Sequence, residues 1–318
     1  MVNIFNLYVT VNKYELNYFH KVVHFLQFMD FKPGVNVQIV HFDFKSNERV
    51  ANITVNKRPL FVTVFTFKST GNHIYQKYVT NIEDVVDLYT PDNTGANVWI
   101  YSGHGGGNYL AKKDVRLLRI EDFCEIAYKV IGKPADLIIF DCCLCGSINC
   151  LYTCANYTKY VMASSSYQSY LSVVHTQSLY RFNEDIVKYC KTVLKEMSSF
   201  EKVDRDAYDT NFNIYMISPS VTSLAQLTLQ YKDQFKRKKS YVINQEKYKD
   251  LECCFAELSI DINPLLDDIC LFTRYTKPKC VNIKQPRHKD TPIPSRLMVV
   301  LKRPKRKGLP TIGDIFFN

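Results

Sequence analysis

A histidine and a cysteine each follow a short apolar segment of the sequence, and together they could form a nucleophilic pair. His104 comes just after the apolar run 97–102, and Cys143 comes just after the run 136–140. Both runs are predicted to be consecutive strands of a parallel sheet. Chemistry in an open α/β sheet takes place beyond the carboxyl ends of the strands. The spacing therefore predicts that a thiol and an imidazole meet at one edge of the sheet, where they could carry out acyl transfer.

The residues around the pair favour the same chemistry. Four glycines flank His104: Gly103, Gly105, Gly106 and Gly107. They let the backbone turn sharply and approach a bound peptide, and their N–H groups can donate to an oxyanion. Cys143 precedes a helix predicted over 147–156, whose N-terminus would favour thiolate. Each feature alone is also typical of an ordinary turn or a core cysteine, so their joint placement carries the interpretation.

The elements that must position the pair repeat a strand–helix pattern. Strands are predicted over 3–12, 35–44 and 160–163, and helices over 14–29 and 120–131. Nearly continuous apolar strands of this kind predict a parallel sheet with helices on both faces.

The rest of the chain is less regular in its pattern. Residues 50–67 are predicted to be rich in β-structure, and 177–197 to form one long helix. Residues 254–272 are predicted to form a strand and then a helix, with a break at Pro264.

The two motifs resemble those of the clostripain-type peptidases in the caspase/legumain/gingipain clan. In that family one strand ends in His-Gly and another in Asp-Ala-Cys-Leu-Met-Gly. The matching segments here are Ser102-Gly103-His104-Gly105-Gly106-Gly107, Asp141-Cys142-Cys143-Leu144-Cys145-Gly146-Ser147 and Tyr160-Val161-Met162-Ala163-Ser164-Ser165. Cys142 stands where the family has Ala, and Cys145 stands where it has Met. The third segment is similar to the one that walls the primary specificity pocket.

The resemblance implies a fold, a mechanism and a specificity. The fold would be a caspase-like α/β/α sandwich with a mostly parallel central sheet. His104 and Cys143 would form a catalytic dyad that needs no third carboxylate, and the backbone N–H groups of Gly105 and Cys143 would hold the oxyanion. Asp141 would lie at the floor of the S1 pocket and favour Arg or Lys at P1.

The resemblance also assigns the remaining pocket residues and the cofactor requirement. Ser164 and Ser165 would line the pocket or bind the peptide backbone. From the sequence alone, Asp141 could equally be a residue that caps the turn after its strand. No cofactor is predicted: calcium is required by some relatives, but no acidic loop here indicates a calcium site.

The cysteine cluster allows two other interpretations. Cys142 and Cys145 flank the nucleophile, which would allow a disulfide or sulfenate switch. A metal site is the second interpretation, and it would use the neighbouring thiols Cys142, Cys143, Cys145, Cys150 and Cys154. No second Cys-x₂-Cys unit follows at zinc-site spacing, so no metal is predicted.

Composition predicts the compartment. Eleven cysteines without a disulfide rhythm favour a reducing, intracellular setting, and no apolar run is long enough to predict a membrane span. Two units are predicted, a peptidase domain over 1–275 with its motif core at about 80–170, and a basic, proline-rich tail over 276–318. The net charge of +10 is concentrated in that tail.

The basic runs suggest further roles. Residues 302–307 could be a nuclear address or a nucleic-acid contact, and a solvated tail is the plainer interpretation. If P1 is basic, Lys112-Lys113 and the run 236–239 are candidate sites of self-cleavage. Three functions therefore remain open: an endopeptidase that cuts after Arg or Lys, a catalytically silent binding protein of the same fold, and a nucleic-acid-associated protein.

Overall fold

A computed structural model describes residues 1–43, 60–79, 82–91, 95–107, 109–110, 118–165, 173–182, 184–201, 210–237, 248–276 and 296–300. Its strands, in chain order, are β1 Val2–Thr10, β2 Val35–Asp43, β3 Leu60–Lys68, β4 Gly71–Val79, β5 Ala96–Ser102, β6 Tyr109–Leu110, β7 Leu118–Arg119, β8 Ala135–Asp141, β9 Thr158–Ser164, β10 Thr210–Met216, β11 Tyr248–Asp250, β12 Cys270–Thr276 and β13 Met298–Val300. Its α-helices are α1 Lys13–Gln27, α2 Ile120–Ile131, α3 Ile148–Cys154, α4 Ile186–Glu201, α5 Pro219–Arg237, α6 Leu251–Ala256 and α7 Asn263–Ile269.

Nine of these strands form the central sheet, in the order β12-β10-β9-β8-β5-β1-β2-β3-β4. The five strands from β9 to β2 are parallel to one another. Antiparallel strands extend the sheet on both sides, β10 and β12 on one and β3 and β4 on the other. The predicted sandwich with a mostly parallel central sheet is confirmed.

Apolar side chains cover both faces of the parallel strands. In β8, Ile138 and Phe140 belong to one core, which also holds buried residues of α2, α3, α5, α6 and α7. Leu137 and Ile139 point to a second core, with α1 and α4. Because successive residues of a strand face opposite sides, a strand buried on both sides must be apolar throughout. That requirement is why the central strands could be recognised from the sequence.

Three asparagines fix the register of the parallel strands. Asn3 of β1 pairs with Asn36 of β2 and with Asn97 of β5. Asn3 Nδ2 donates to Asn97 Oδ1 at 2.9 Å, and Asn36 Nδ2 donates to Asn3 Oδ1 at 3.1 Å. All three are buried. A one-residue slip would leave buried amides without these partners, so the asparagine ladder favours a single register.

The predicted helix over 177–197 is wrong in its extent. The structure has two short 3₁₀ turns at Val173–His175 and Gln177–Tyr180, and α4 begins only at Ile186. Asp185 explains the later start, because its carboxylate accepts a hydrogen bond from the Lys188 N–H at 3.0 Å. An aspartate in this position caps the N-terminus of a helix.

The predicted order within 254–272 is also wrong. Helices α6 and α7 come first, and the strand β12 follows them. Asp250 caps α6 by accepting from the Cys253 N–H at 2.8 Å. Pro264 lies in the first turn of α7, where proline starts a helix and does not interrupt one.

The predicted β-rich stretch 50–67 and the predicted tail are described in part. Residues 60–67 lie in β3, and 50–59 lie outside the described residues. Of the tail, residues 296–300 are described, and Leu297, Met298 and Val299 are fully buried. β13 pairs with β11 in a separate two-stranded sheet. The basic run 302–307 lies outside the described residues.

Candidate active site

The strands that precede His104 and Cys143 are neighbours and end in register. β5 pairs with β8 in parallel, and Ser102 lies opposite Asp141. His104 is two residues beyond Ser102, and Cys143 is two residues beyond Asp141. The Gly103 N–H donates to the Asp141 carbonyl at 3.3 Å, so the two segments remain hydrogen-bonded where the strands end. The predicted arrangement, adjacent strand ends at one edge of the sheet, is what the structure has.

The loop that carries His104 touches the turn that carries Cys143. A Cβ atom on Gly105 would lie 2.5 Å from Cys142 Sγ and 2.7 Å from the Cys143 carbonyl oxygen. Neither distance is possible for a real side chain, so this position must be glycine. The backbone of Gly105, a predicted oxyanion donor, therefore packs directly on the turn at Cys143.

Exposure distinguishes Cys143 from its neighbours. Leu144 has a φ of 62°, a left-handed conformation that turns the chain sharply just after Cys143. Cys143 is partly exposed, whereas Cys142 and Cys145 are buried. Burial raises the pKa of the Cys142 thiol well above its usual range, which keeps it protonated and poorly nucleophilic. Of the three thiols, only Cys143 is accessible to a substrate.

The helix predicted over 147–156 is shorter in the structure. Helix α3 begins at Ile148, five residues beyond Cys143, and has seven residues. Ser147 caps this helix by accepting from the Cys150 N–H at 3.2 Å.

The buried thiols behind Cys143 form close contacts with one another. Cys142 Sγ and Cys145 Sγ are 3.2 Å apart, and Cys124 Sγ and Cys154 Sγ are 3.7 Å apart. Among the described residues, no group of three or more His, Cys, Asp or Glu side chains is arranged to hold a metal ion.

A carboxylate that the sequence analysis missed contacts His104. Glu15, in the first turn of α1, places Oε1 at 2.8 Å from His104 Nε2. The Glu15 side chain is 10% exposed and that of His104 is 38% exposed. The sequence did mark the start of this helix, because Asn12-Lys13-Tyr14-Glu15 has the spacing of a capping box. The sequence did not show that β1 lies beside β5, which is what brings the start of α1 to His104.

Asp141, the last residue of β8, is buried at the edge of the sheet where His104 and Cys143 lie. Its side chain accepts hydrogen bonds from the Val173 N–H at 3.1 Å and from Ser102 Oγ at 3.4 Å. Burial, reinforced by the charge of Asp141, raises the pKa of the Tyr8 and Tyr180 hydroxyls. Asp141 therefore lies in a buried polar site together with these tyrosines.

Ser164 and Ser165 lie behind the nucleophile turn and are fully buried. The Gly146 N–H donates to the Ser164 carbonyl at 2.7 Å, and Asn213 Nδ2 donates to Ser165 Oγ at 3.2 Å. In this structure both serines hold the turn in place, and neither side chain faces solvent.

A cleft of about 510 Å³ opens at the opposite edge of the sheet and is separate from this site. Its lining includes Val2, Val35 and Ala96, which are at the amino ends of their strands. Neither His104 nor Cys143 contributes to it.

Comparisons of the sequence and of the structure with known proteins gave different results. No protein-family model and no curated protein matches the sequence. The structure matches a secreted C11 cysteine protease from Bacteroides thetaiotaomicron at 13% identity and a TM-score of 0.59, over 89% of this chain and 91% of that one. It also matches an inactive zymogen C11 protease from Parabacteroides distasonis at 12% identity and a TM-score of 0.60, over 95% and 92% of the two chains.

A third match extends over nearly the full length of both chains. A secreted C11 protease from Bacteroides thetaiotaomicron, bound to an irreversible peptide inhibitor, aligns at 10% identity and a TM-score of 0.62, over 96% of this chain and 94% of that one. The chain has the fold of the C11 cysteine proteases. The predicted resemblance to clostripain-type peptidases is thereby confirmed at the level of the fold. The neighbours with the C11 fold are hydrolases that act on peptide bonds.

The C11 comparison contradicts the predicted reducing, intracellular compartment. Two of the matched structures are secreted proteases. Ten cysteines among the described residues are free thiols, and most of them are buried. Buried thiols are shielded from oxidants in any compartment, so their number and clustering do not indicate where the protein resides. None of the described helices is both long and apolar enough to cross a membrane.

Proposed function

We propose that this chain is a cysteine endopeptidase in which Cys143 is the nucleophile and His104 is the general acid and base. The observation that carries the proposal is the contact between the two loops at the ends of β5 and β8, with Gly105 packed on the turn of Cys143, the thiol that is more exposed than its neighbours Cys142 and Cys145. The C11 fold supports the same reaction class.

The reaction follows from these groups. The Cys143 thiolate attacks the scissile carbonyl carbon, and His104 gives its proton to the leaving amine as the C–N bond breaks. His104 then takes a proton from water, which attacks the thioester and releases the acid and the thiol. The backbone N–H groups of Gly105 and Cys143 hold the oxyanion in both steps.

The proposed specificity is for Arg or Lys at P1, through Asp141. A cationic side chain would pair with this buried carboxylate, whereas a neutral one would leave it without a counter-charge. Ser164 and Ser165, which are buried, are proposed to form the wall of this pocket. Self-cleavage after a basic residue belongs to the same proposal. Lys112-Lys113 lies outside the described residues, and so do Lys238 and Lys239 of the other candidate run.

Turnover of short fluorogenic peptides tests the proposal. Peptides with Arg or Lys at P1 should be cleaved, and peptides with Asp or Gln at P1 should not. Cys143→Ala should abolish cleavage while leaving the unfolding temperature unchanged, and Cys142→Ala should remain active. No cleavage of any peptide by the wild type would favour a silent binding protein, and equal rates for Arg and Asp peptides would reject the role of Asp141. If wild type and Cys143→Ala both run as the intact chain on a denaturing gel, the self-cleavage hypothesis is rejected.

A further inference from the structure

Glu15 makes a contact with His104 that the proposed dyad does not require. Glu15 Oε1 lies 2.8 Å from His104 Nε2, which is the distance of a charge-assisted hydrogen bond. One ring nitrogen is therefore committed to the carboxylate, and Nδ1 is the nitrogen left for the reaction. A histidine base is commonly oriented in this way by a third group.

The carboxylate of Glu15 is held in place by the start of α1. Its Oε2 accepts from the Val11 N–H at 2.7 Å, and its Oε1 also contacts Asn12 Nδ2 at 2.5 Å. In return, Asn12 Oδ1 accepts from the Glu15 N–H at 3.0 Å. Asn12 thus caps the helix, and the bonds from Val11 and Asn12 hold the Glu15 carboxylate beside the helix end.

The order of the strands in the sheet places the Glu15 carboxylate next to His104. β1 lies between β2 and β5, and Tyr8 of β1 pairs with Ser102 of β5. The two parallel strands end at the same edge of the sheet. The first turn of α1, which follows β1, therefore faces His104, two positions beyond Ser102. A helix cap alone needs only the contacts to Val11 and Asn12, and it does not explain the bond to His104.

We propose that Glu15 is the positioning residue of His104, which turns the predicted dyad into a Glu15–His104–Cys143 relay. Glu15 accepts the proton of Nε2–H as a hydrogen bond, which fixes the tautomer with Nδ1 free to act as a base. When the Cys143 thiol transfers its proton to Nδ1, the ring becomes an imidazolium, and the Glu15 carboxylate beside Nε2 stabilises that charge. This inference rests on the proposed function and adds a residue to it.

Kinetics of two Glu15 variants test the relay on the full chain with a basic-P1 peptide. Glu15→Ala and Glu15→Gln should each lower kcat by about 100-fold or more and leave KM within about twofold, because a positioning residue acts in the transition state. Asp185→Ala is the matched control, since it removes a carboxylate that caps a different helix. It should lower the unfolding temperature comparably and leave kcat unchanged. A folded Glu15 variant with kcat within about twofold of wild type would overturn the proposal.

A spectroscopic test does not depend on turnover and so separates this inference from the proposed function. In a Cys143→Ala background, ring ¹⁵N shifts of His104 are recorded at a pH where the ring is neutral, and they are assigned by their loss in His104→Ala. The proton should reside on Nε2, and the added Glu15→Ala change should shift the tautomer population toward Nδ1–H. An unchanged tautomer would overturn the role of Glu15 even if the peptidase proposal holds.

Discussion

At the scale of single residues, the site depends on close approach more than on unusual side chains. Cys143 differs from Cys142 and Cys145 in its exposure, and the left-handed Leu144 follows it directly. Gly105 has no room for a side chain. The site therefore depends on close packing between two turns, the one that carries His104 and the one that carries Cys143.

The substitution Gly105→Ala tests that close approach. It keeps the N–H proposed for the oxyanion, but its Cβ would meet Cys142 Sγ and the Cys143 carbonyl oxygen. We expect the two turns to separate, with destabilisation of about 1–3 kcal/mol and a loss of activity larger than that destabilisation explains. Thermal unfolding and peptide turnover measure the two effects.

Gly132→Ala is the matched control for this substitution. Gly132, unlike Gly105, has a positive φ, 74°, and nothing lies within 4 Å of its Cβ position. Gly132→Ala should lose about 1–2 kcal/mol of stability, because an L side chain is strained at this φ, and it should keep full activity. Full activity of Gly105→Ala would show that the contact between the turns is dispensable.

At the scale of elements, β1 organises both the register of the sheet and the site. Asn3 joins β1 to both neighbouring strands, and the chain that leaves the other end of β1 carries Glu15. A single strand thus connects the asparagine ladder at one edge of the sheet to the candidate active site at the other.

Asn3→Ala should destabilise the fold, because the buried Asn97 Oδ1 loses its Asn3 donor and Asn36 Nδ2 loses its Asn3 acceptor. We expect a loss of about 1–3 kcal/mol in the free energy of unfolding, measured by urea denaturation. The double variant Asn3→Ala/Asn97→Ala should lose less than the sum of the two single variants, since they share one hydrogen bond. Strict additivity would show that the ladder contributes no coupling.

The elements that the sequence predicted well are those buried on both faces or clearly capped. β5 and β8 follow from continuous apolar runs, and α2 follows from its amphipathic pattern and from Gly132 at its end. β4 was not recognised, because eight of its nine residues are exposed and polar ones are mixed with Tyr and Ile. Glu15 was missed because pairing β1 with β5 joins residues more than 90 positions apart, which local patterns do not encode.

At the scale of the whole molecule, the end of the described chain supports the nucleophile turn. The Met298 N–H donates to the Gly146 carbonyl at 3.1 Å, and the Tyr215 hydroxyl donates to the Arg296 carbonyl at 2.9 Å. Arg296 also pairs with Glu252, with Nη2 and Oε1 2.8 Å apart. Part of the segment predicted to be a tail is thus buried, and it contacts Gly146, which is three residues beyond Cys143.

Truncation tests this role of the C-terminal segment. Deleting everything after Lys284 removes the buried residues Leu297, Met298 and Val299 and should cost about 5 kcal/mol or more, with loss of activity. Ending the chain after Leu301 removes the basic run but keeps β13, and it should leave turnover and unfolding temperature near wild type. An active, stable protein after the longer deletion would contradict the role of β13.

The central claim, that Cys143 is the nucleophile activated by His104, is tested most directly by covalent labelling. A peptide chloromethyl ketone with Arg at P1 alkylates an activated thiolate, and peptide mapping by mass spectrometry locates the adduct. The account predicts one adduct per chain, on Cys143, formed much more slowly in His104→Ala. An adduct on Cys142 or Cys145, or an equal rate of labelling without His104, would contradict it.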